Sequence, residues 1–142
     1  MHPWEPSELY AGGVRVVVSL SPEEHVEGLE AYGFTHYRAE FPPVTLYSTG
    51  MQKAFIYQAL PVWEFIHQKV SAGIPTLVHC FAGNDRTGAI LAGYLITYRG
   101  MAPELALQTL RNAKPTAMSA LGYAAVLGLL NPGELPDPRT LL

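Results

Sequence analysis

The residues able to do chemistry together stand in one stretch, Val78-His79-Cys80-Phe81-Ala82-Gly83-Asn84-Asp85-Arg86-Thr87-Gly88. It holds the only cysteine of the chain, and an arginine follows at the sixth position after it. An apolar run, Thr76-Leu77-Val78, precedes the stretch, and a helix-like run from Thr87 to Tyr98 follows it. The order is therefore strand, short loop, helix. Backbone N–H groups in such a loop can converge as an anion nest, and the helix N-terminus adds positive potential. Gly83 relaxes the steric limit on a tight curl. Arg86 offers a planar fork for two phosphate oxygens. The same N–H dipoles and guanidinium favour the thiolate of Cys80. A thiolate beneath a bound phosphate is placed for in-line attack on phosphorus, giving a phosphocysteine that water then hydrolyses. Because N–H groups and Arg86 stabilise the equatorial oxygens, this chemistry calls for no metal and no cofactor. Phe81, Ala82, Gly83, Asn84, Asp85 and Arg86 form the expected phosphate-binding set.

The elements that must hold this loop can be read around it. Val14–Leu20 is a β-branched apolar run, expected as a buried strand. Phe34–Phe41 reads as a second strand, stopped by Pro42-Pro43. Glu8–Ala11 suggests an edge strand. Ser21-Pro22-Glu23-Glu24 carries a helix-start pattern, as do Thr49 and Gln52. Phe55, Ala59, Val62, Trp63, Ile66 and Val70 recur at helical spacing, with Pro61 expected to kink or divide that helix. Two further helices are expected over Pro103–Ala113 and Ser119–Leu130. Strands alternating with helices predict an α/β fold: one domain over residues 1–142, with a mostly parallel central sheet flanked by helices. The tail, 132–142, is expected to be loosely ordered. In such sheets ligands bind beyond the carboxyl ends of the strands, where the loop after Val78 lies.

Composition narrows the function classes. The 142 residues are 49% hydrophobic and 15% charged, enough for a core and unlike a disordered chain. The net charge of −3 includes no basic cluster, so neither nucleic acid nor an anionic membrane is an expected partner. A lone cysteine cannot form an internal disulfide and points to a reducing, cytoplasmic setting. The first residues lack a signal-peptide pattern, and no apolar run approaches the ~20 residues of a membrane span. His2, His25, His36 and His67 show no metal-ligand spacing and read as structural or exposed. Oligomeric state is not legible.

His79-Cys80, five residues and Arg86-Thr87-Gly88 resemble the phosphate-binding loop of the cysteine-dependent protein tyrosine phosphatases. Leu9-Tyr10-Ala11-Gly12-Gly13 and Val17-Val18-Ser19-Leu20 resemble the opening of the small dual-specificity branch, and the likeness continues through Tyr94-Leu95-Ile96 and Glu104-Leu105-Ala106. The resemblance implies Cys80 as nucleophile, Arg86 as phosphate clamp, Thr87 as hydroxyl partner of the departing thiolate, and His79 as a supporting residue behind the loop. It also implies a hydrolase of phosphotyrosine, and of phosphoserine and phosphothreonine, in proteins. The family's general acid is an aspartate on a separate loop before the long helix. The matching region here, Tyr37-Arg38-Ala39-Glu40-Phe41-Pro42-Pro43, has only Glu40. A second candidate is Asp85, within a loop resembling those of a bacterial subgroup and of the myotubularins, in which that aspartate is implicated in acid–base chemistry. Asn84 stands where the bacterial subgroup has lysine, which weakens an inference to phosphoinositides. Two other readings use the same residues: a non-catalytic phosphate-binding module, and a phosphatase of non-protein phosphates such as phosphoinositides, nucleotides or RNA ends. A sulfur-transfer enzyme would also place a cysteine in an anion nest.

Overall fold

In the computed structural model, residues 4–22, 27–80 and 84–142 are described. Helix α1 (Pro6–Ala11) leads into strand β1 (Val16–Ser19), a 3₁₀ turn (Leu29–Tyr32) and strand β2 (Thr35–Arg38). The long helix α2 (Thr49–Ser71), strand β3 (Thr76–His79) and helix α3 (Arg86–Arg99) follow, then α4 (Pro103–Ala113), α5 (Tyr123–Leu127) and a 3₁₀ turn at Pro138–Thr140. The three strands are parallel in the order β2-β1-β3, so β1, the most apolar run, is central and fully buried. The chain leaves β1 for one neighbour and later returns through α2 to the other. The carboxyl ends of β1 and β3 therefore flank the point where strand order reverses, the crevice in which α/β sheets bind ligands. Cys80 follows β3 there.

The two faces of the sheet are unequal. One side, with Val16, Val18 and Leu20, packs into a large core against Phe55, Val62, Trp63, Ala89, Ile90, Ile96 and their neighbours. On the other face a smaller cluster of Val17, Leu29 and Phe34 is covered by Trp4, Leu9 and Tyr10. Register puts Val17 beside His36 and Leu77, and Ser19 beside Arg38 and His79, so these residues share the smaller face. Helix α3 is buried on most sides, from Arg86 through Thr97, and sits at the centre of the helical layer. Trp63 of α2 lies across it and donates from Nε1 to the Ile90 carbonyl at 2.8 Å.

Several expected boundaries move. Glu8–Ala11 belongs to a helix, not an edge strand; Pro6, at the first helical position, is the start signal. The capping box on Thr49 is corrected by one residue: Ser48 is the cap, its Oγ accepting from the Met51 N–H at 3.1 Å. Pro61 does not divide α2, which runs 23 residues unbroken. The proline is exposed, where the carbonyl it leaves unpaired can reach water. Ser119–Leu130 yields only α5, because Gly122 adopts a left-handed φ of +93° at its cap. That glycine is required by contact as well, since a Cβ there would overlap the Leu46 carbonyl. In the tail, expected to be loosely ordered, Leu141 is buried against the large core, and the Gly133 N–H donates to the Ile96 carbonyl at 2.8 Å. The helix start expected over Ser21–Glu24 falls partly outside the described residues.

Candidate active site

Cys80 follows the last residue of β3, and Arg86 opens α3. Both are buried, with exposures of 6% and 7%. A guanidinium taken this far from water needs fixed partners; Arg86 Nη1 donates to the Phe41 carbonyl at 3.0 Å. That bond ties the candidate phosphate clamp to the Glu40–Pro43 turn, 45 residues away in sequence. The turn is held at its backbone from other sides too. Gln58 Nε2 donates to the Glu40 carbonyl at 2.6 Å, Phe41 N–H to the Leu20 carbonyl at 3.0 Å, and the Tyr123 hydroxyl to the Val44 carbonyl at 2.6 Å. The Phe41 ring is buried against Phe55, centroids 4.9 Å apart. Glu40 itself is exposed.

Thr87, in the first turn of α3, is buried, and its Oγ1 has no hydrogen-bond partner among the described residues. A buried hydroxyl left unpaired is costly and uncommon in native proteins. It fits a group reserved for a species that forms as a bond breaks, such as a departing thiolate.

Asn84 and Asp85 are clamped from the segment between α4 and α5. The Met118 N–H donates to the Asn84 carbonyl at 2.9 Å, Thr116 Oγ1 to Asn84 Oδ1 at 2.8 Å, and the Ala120 N–H to Asp85 Oδ1 at 3.1 Å. Met118 is buried with φ +57°, the only non-glycine residue with positive φ among those described. Such a conformation persists only where neighbours enforce it, and functional sites are where it gathers. Arg111 of α4 supplies part of that enforcement, donating to the carbonyls of Ala117 (3.0 Å) and Met118 (3.3 Å). Asp85 and Arg86 line a cavity of about 160 Å³ with Pro43, Val44, Thr45, Ala120 and Tyr123. Thus Asp85 shares a cavity with the arginine, whereas neither Glu40 nor Cys80 lines it.

His79 is buried behind the cysteine, its ring meeting Trp4 edge to face at 5.3 Å. One of its nitrogens, Nε2, lies 2.6 Å from Ser19 Oγ, which in turn lies 2.7 Å from His36 Nε2. Of the sequence-predicted residues, then, Cys80, Arg86, Thr87, Asp85 and Asn84 gather at the carboxyl end of the sheet with His79 behind them. Glu40 reaches the site only through the backbone of its turn. Phe81, Ala82 and Gly83, and with them the inward N–H groups of the loop, lie outside the described residues.

Against known families, residues 30–131 match the model of the dual specificity phosphatase catalytic domain. The chain belongs to this family. Among curated relatives of this dual-specificity phosphatase domain, the phosphatidylglycerophosphate phosphatase PTPMT1 of Arabidopsis thaliana is 40% identical over 57 residues, 40% of this chain and 17% of that protein. Dual specificity protein phosphatase 22-B of Danio rerio is 33% identical over 78 residues, 55% of this chain and 43% of that protein. The matches span less than half the length of either. Of solved structures, the active form of Tk-PTP superposes with a TM-score of 0.73 at 25% identity, covering 88% of this chain and 82% of that one.

Proposed function

We propose that the protein is a phosphomonoester hydrolase acting through a phosphocysteine on Cys80, with phosphotyrosine, phosphoserine and phosphothreonine of proteins as its substrate class. One observation carries the reading: a buried arginine and a buried threonine hydroxyl, unpartnered among the described residues, open the helix that begins six residues after a buried cysteine. Burying a guanidinium is expensive, and a buried hydroxyl with no partner among the described residues adds to that cost; an anionic substrate and a leaving thiolate give both a use. Membership of the dual-specificity family and the name of the zebrafish relative support the protein substrates.

In the first step the Cys80 sulfur attacks phosphorus and the bond from phosphorus to the leaving oxygen breaks, with that oxygen taking up a proton. Arg86 holds two of the equatorial oxygens. In the second step water attacks phosphorus and gives a proton to the carboxylate that donated one in the first, the S–P bond breaks with the sulfur leaving as a thiolate toward the Thr87 hydroxyl, and inorganic phosphate departs. Asp85 is our choice of proton donor, because it shares a cavity with Arg86 while Glu40 does not. The N–H of Ala120 engages only Oδ1, so that bond leaves Asp85 Oδ2 for the leaving group. Neither step draws on a metal or cofactor, and the thiol requirement fits the cytoplasmic setting expected from a single unpaired cysteine.

Three substitutions test this with one aryl and one alkyl phosphate. Cys80→Ser should abolish turnover of both, and equal rates in wild type and variant would end the cysteine mechanism. A phenol of pKa about 10 leaves unprotonated more easily than an alcohol, so loss of the true acid slows the alkyl ester more. Asp85→Asn should therefore lower kcat for the alkyl ester roughly 10²–10⁴-fold and for the aryl ester less. If Glu40→Gln shows that pattern and Asp85→Asn does not, the acid is Glu40.

A specific finding favours a second reading, a lipid phosphate substrate: the 40% identical segment shared with a phosphatidylglycerophosphate phosphatase. Turnover of a phosphatidylglycerophosphate in mixed micelles, with none of phosphopeptides, would replace protein substrates by that class.

A further inference from the structure

The sheet carries a buried polar chain that the hydrolytic steps do not use. It crosses all three strands: His36 on β2, Ser19 at the end of β1 and His79 at the end of β3. Ser19 Oγ stands between the two imidazoles, 2.7 Å from His36 Nε2 and 2.6 Å from His79 Nε2. It is the register that makes this possible, since Ser19 pairs directly with His79 and His36 sits on the same face two residues before Ser19's partner, Arg38. Ser19 and His79 are both buried, and the His79 ring meets the Trp4 ring edge to face.

The proton positions follow from what surrounds His36. Its Nδ1 is buried with no hydrogen-bond partner among the described residues. A proton there would be a buried N–H without an acceptor, which native structures avoid more strictly than an unpaired acceptor. Burial first, and the positive charge of Arg38 second, lower the pKa of His36, so the ring is neutral near pH 7, Glu30 opposing only in part. A neutral ring with a bare Nδ1 carries its single proton on Nε2, and that N–H donates to Ser19 Oγ. The serine has one proton of its own, and the remaining close partner is His79 Nε2. Ser19 therefore donates to His79, whose Nε2 accepts. A neutral His79 is then left with its proton on Nδ1, on the side of the ring away from Ser19.

We propose that Ser19 and His36 are positioning residues for the reaction at Cys80, relaying a fixed hydrogen-bond direction from β2 through β1 that holds the neighbouring His79 in one orientation and as its Nδ1–H tautomer. The proposal rests on the reading of Cys80 as the nucleophile, and adds to it two residues that never touch substrate. The physical sense is that of orienting a group by the hydrogen bond made at its other nitrogen. A ring free to exchange tautomers would be a donor at one moment and an acceptor at the next, in the residue that directly precedes the reacting cysteine. With three strands contributing one atom each, the direction is set by the register of the sheet.

The test reads the proton directly. In ¹⁵N-histidine-labelled protein, long-range proton–nitrogen spectra at pH 7.5 should show His79 with a protonated Nδ1 and a bare Nε2. In Ser19→Ala and in His36→Phe the same ring should shift to a mixture of tautomers, and kcat for an aryl phosphate should fall roughly ten-fold in each, with KM little changed. Ser19→Thr, which restores a hydroxyl at the same place, should return both the spectrum and kcat toward wild type. A wild-type His79 protonated on Nε2, a spectrum unaltered in the folded variants, or full activity in both overturns the proposal. The tautomer spectrum needs no turnover. A wild type that hydrolyses nothing therefore sinks the hydrolase reading and leaves the spectrum to decide the relay.

Discussion

At the scale of single residues, Thr87 separates stability from function. Its Oγ1 is buried and unpartnered among the described residues, so the folded state bears a desolvation cost with no hydrogen bond in return. Thr87→Val keeps the shape and removes the hydroxyl. Unfolding in urea should show the variant as stable as wild type or more so, by up to ~1 kcal/mol. Its kcat should fall roughly ten-fold, in the step that releases the thiolate. An equal loss of both stability and activity would mean that the hydroxyl serves the fold. Legibility at this scale was uneven for a physical reason. Cys80, Arg86 and Thr87 lie on one short segment, so their relation is a spacing. Ser19, His36 and Arg111 relate to them through register and helix docking, and no spacing in the sequence announces that. His36, expected to be structural or exposed, shares a strand-end serine with His79 only because parallel pairing brings β1 between β2 and β3.

Between elements, the tightest constraint is the crossing of α2 and α3. Gly93 on α3 faces the indole of Trp63; a Cβ at position 93 would lie 2.3 Å from Cζ2 and 2.9 Å from Cε2. The Trp63 Nε1–Ile90 bond fixes the indole on that same surface, so the ring cannot swing aside without losing a buried hydrogen bond. Glycine is unfavourable inside a helix on propensity alone, yet Gly93→Ala should destabilise, by roughly 1–3 kcal/mol from overpacking. The melting temperature should drop by roughly 3–10 °C. Trp63→Phe removes the offending ring edge, so the double variant should be more stable than the sum of the two single losses predicts. A stabilising Gly93→Ala would show that the helices separate at no cost. Helical spacing identified the apolar stripe of α2 correctly because one face packs and the other is wet. It said less about α3, which is buried on nearly every side, and it overran α5, whose start is set at Gly122, where only a glycine fits against the Leu46 carbonyl. Contacts of that kind join residues far apart in the chain and leave no periodic trace.

For the molecule as a whole, the sheet divides the interior into a large apolar side and a small mixed one, and the small side makes stability depend on pH. His36 lies there, its pKa lowered below 6.5 in the folded state, chiefly by burial. The unfolded chain regains the ordinary value. Above pH 6.5 both states are neutral and His36 adds no pH dependence. As pH falls below that value the unfolded state takes up a proton first, and the native state is disfavoured until its own lowered pKa is passed. Stability attributable to His36 is therefore fully present above the unfolded pKa and is lost on acidification through the window beneath it. The slope for one proton is at most about 1.4 kcal/mol per pH unit, and a partly buried ring should give well under that. Urea unfolding at a series of pH values should show this loss in wild type. The slope should be shallower in His36→Phe, where only carboxylates and the other histidines remain to titrate. Parallel curves for the two proteins would mean that His36 titrates alike in both states and that its burial does not disfavour the charged ring.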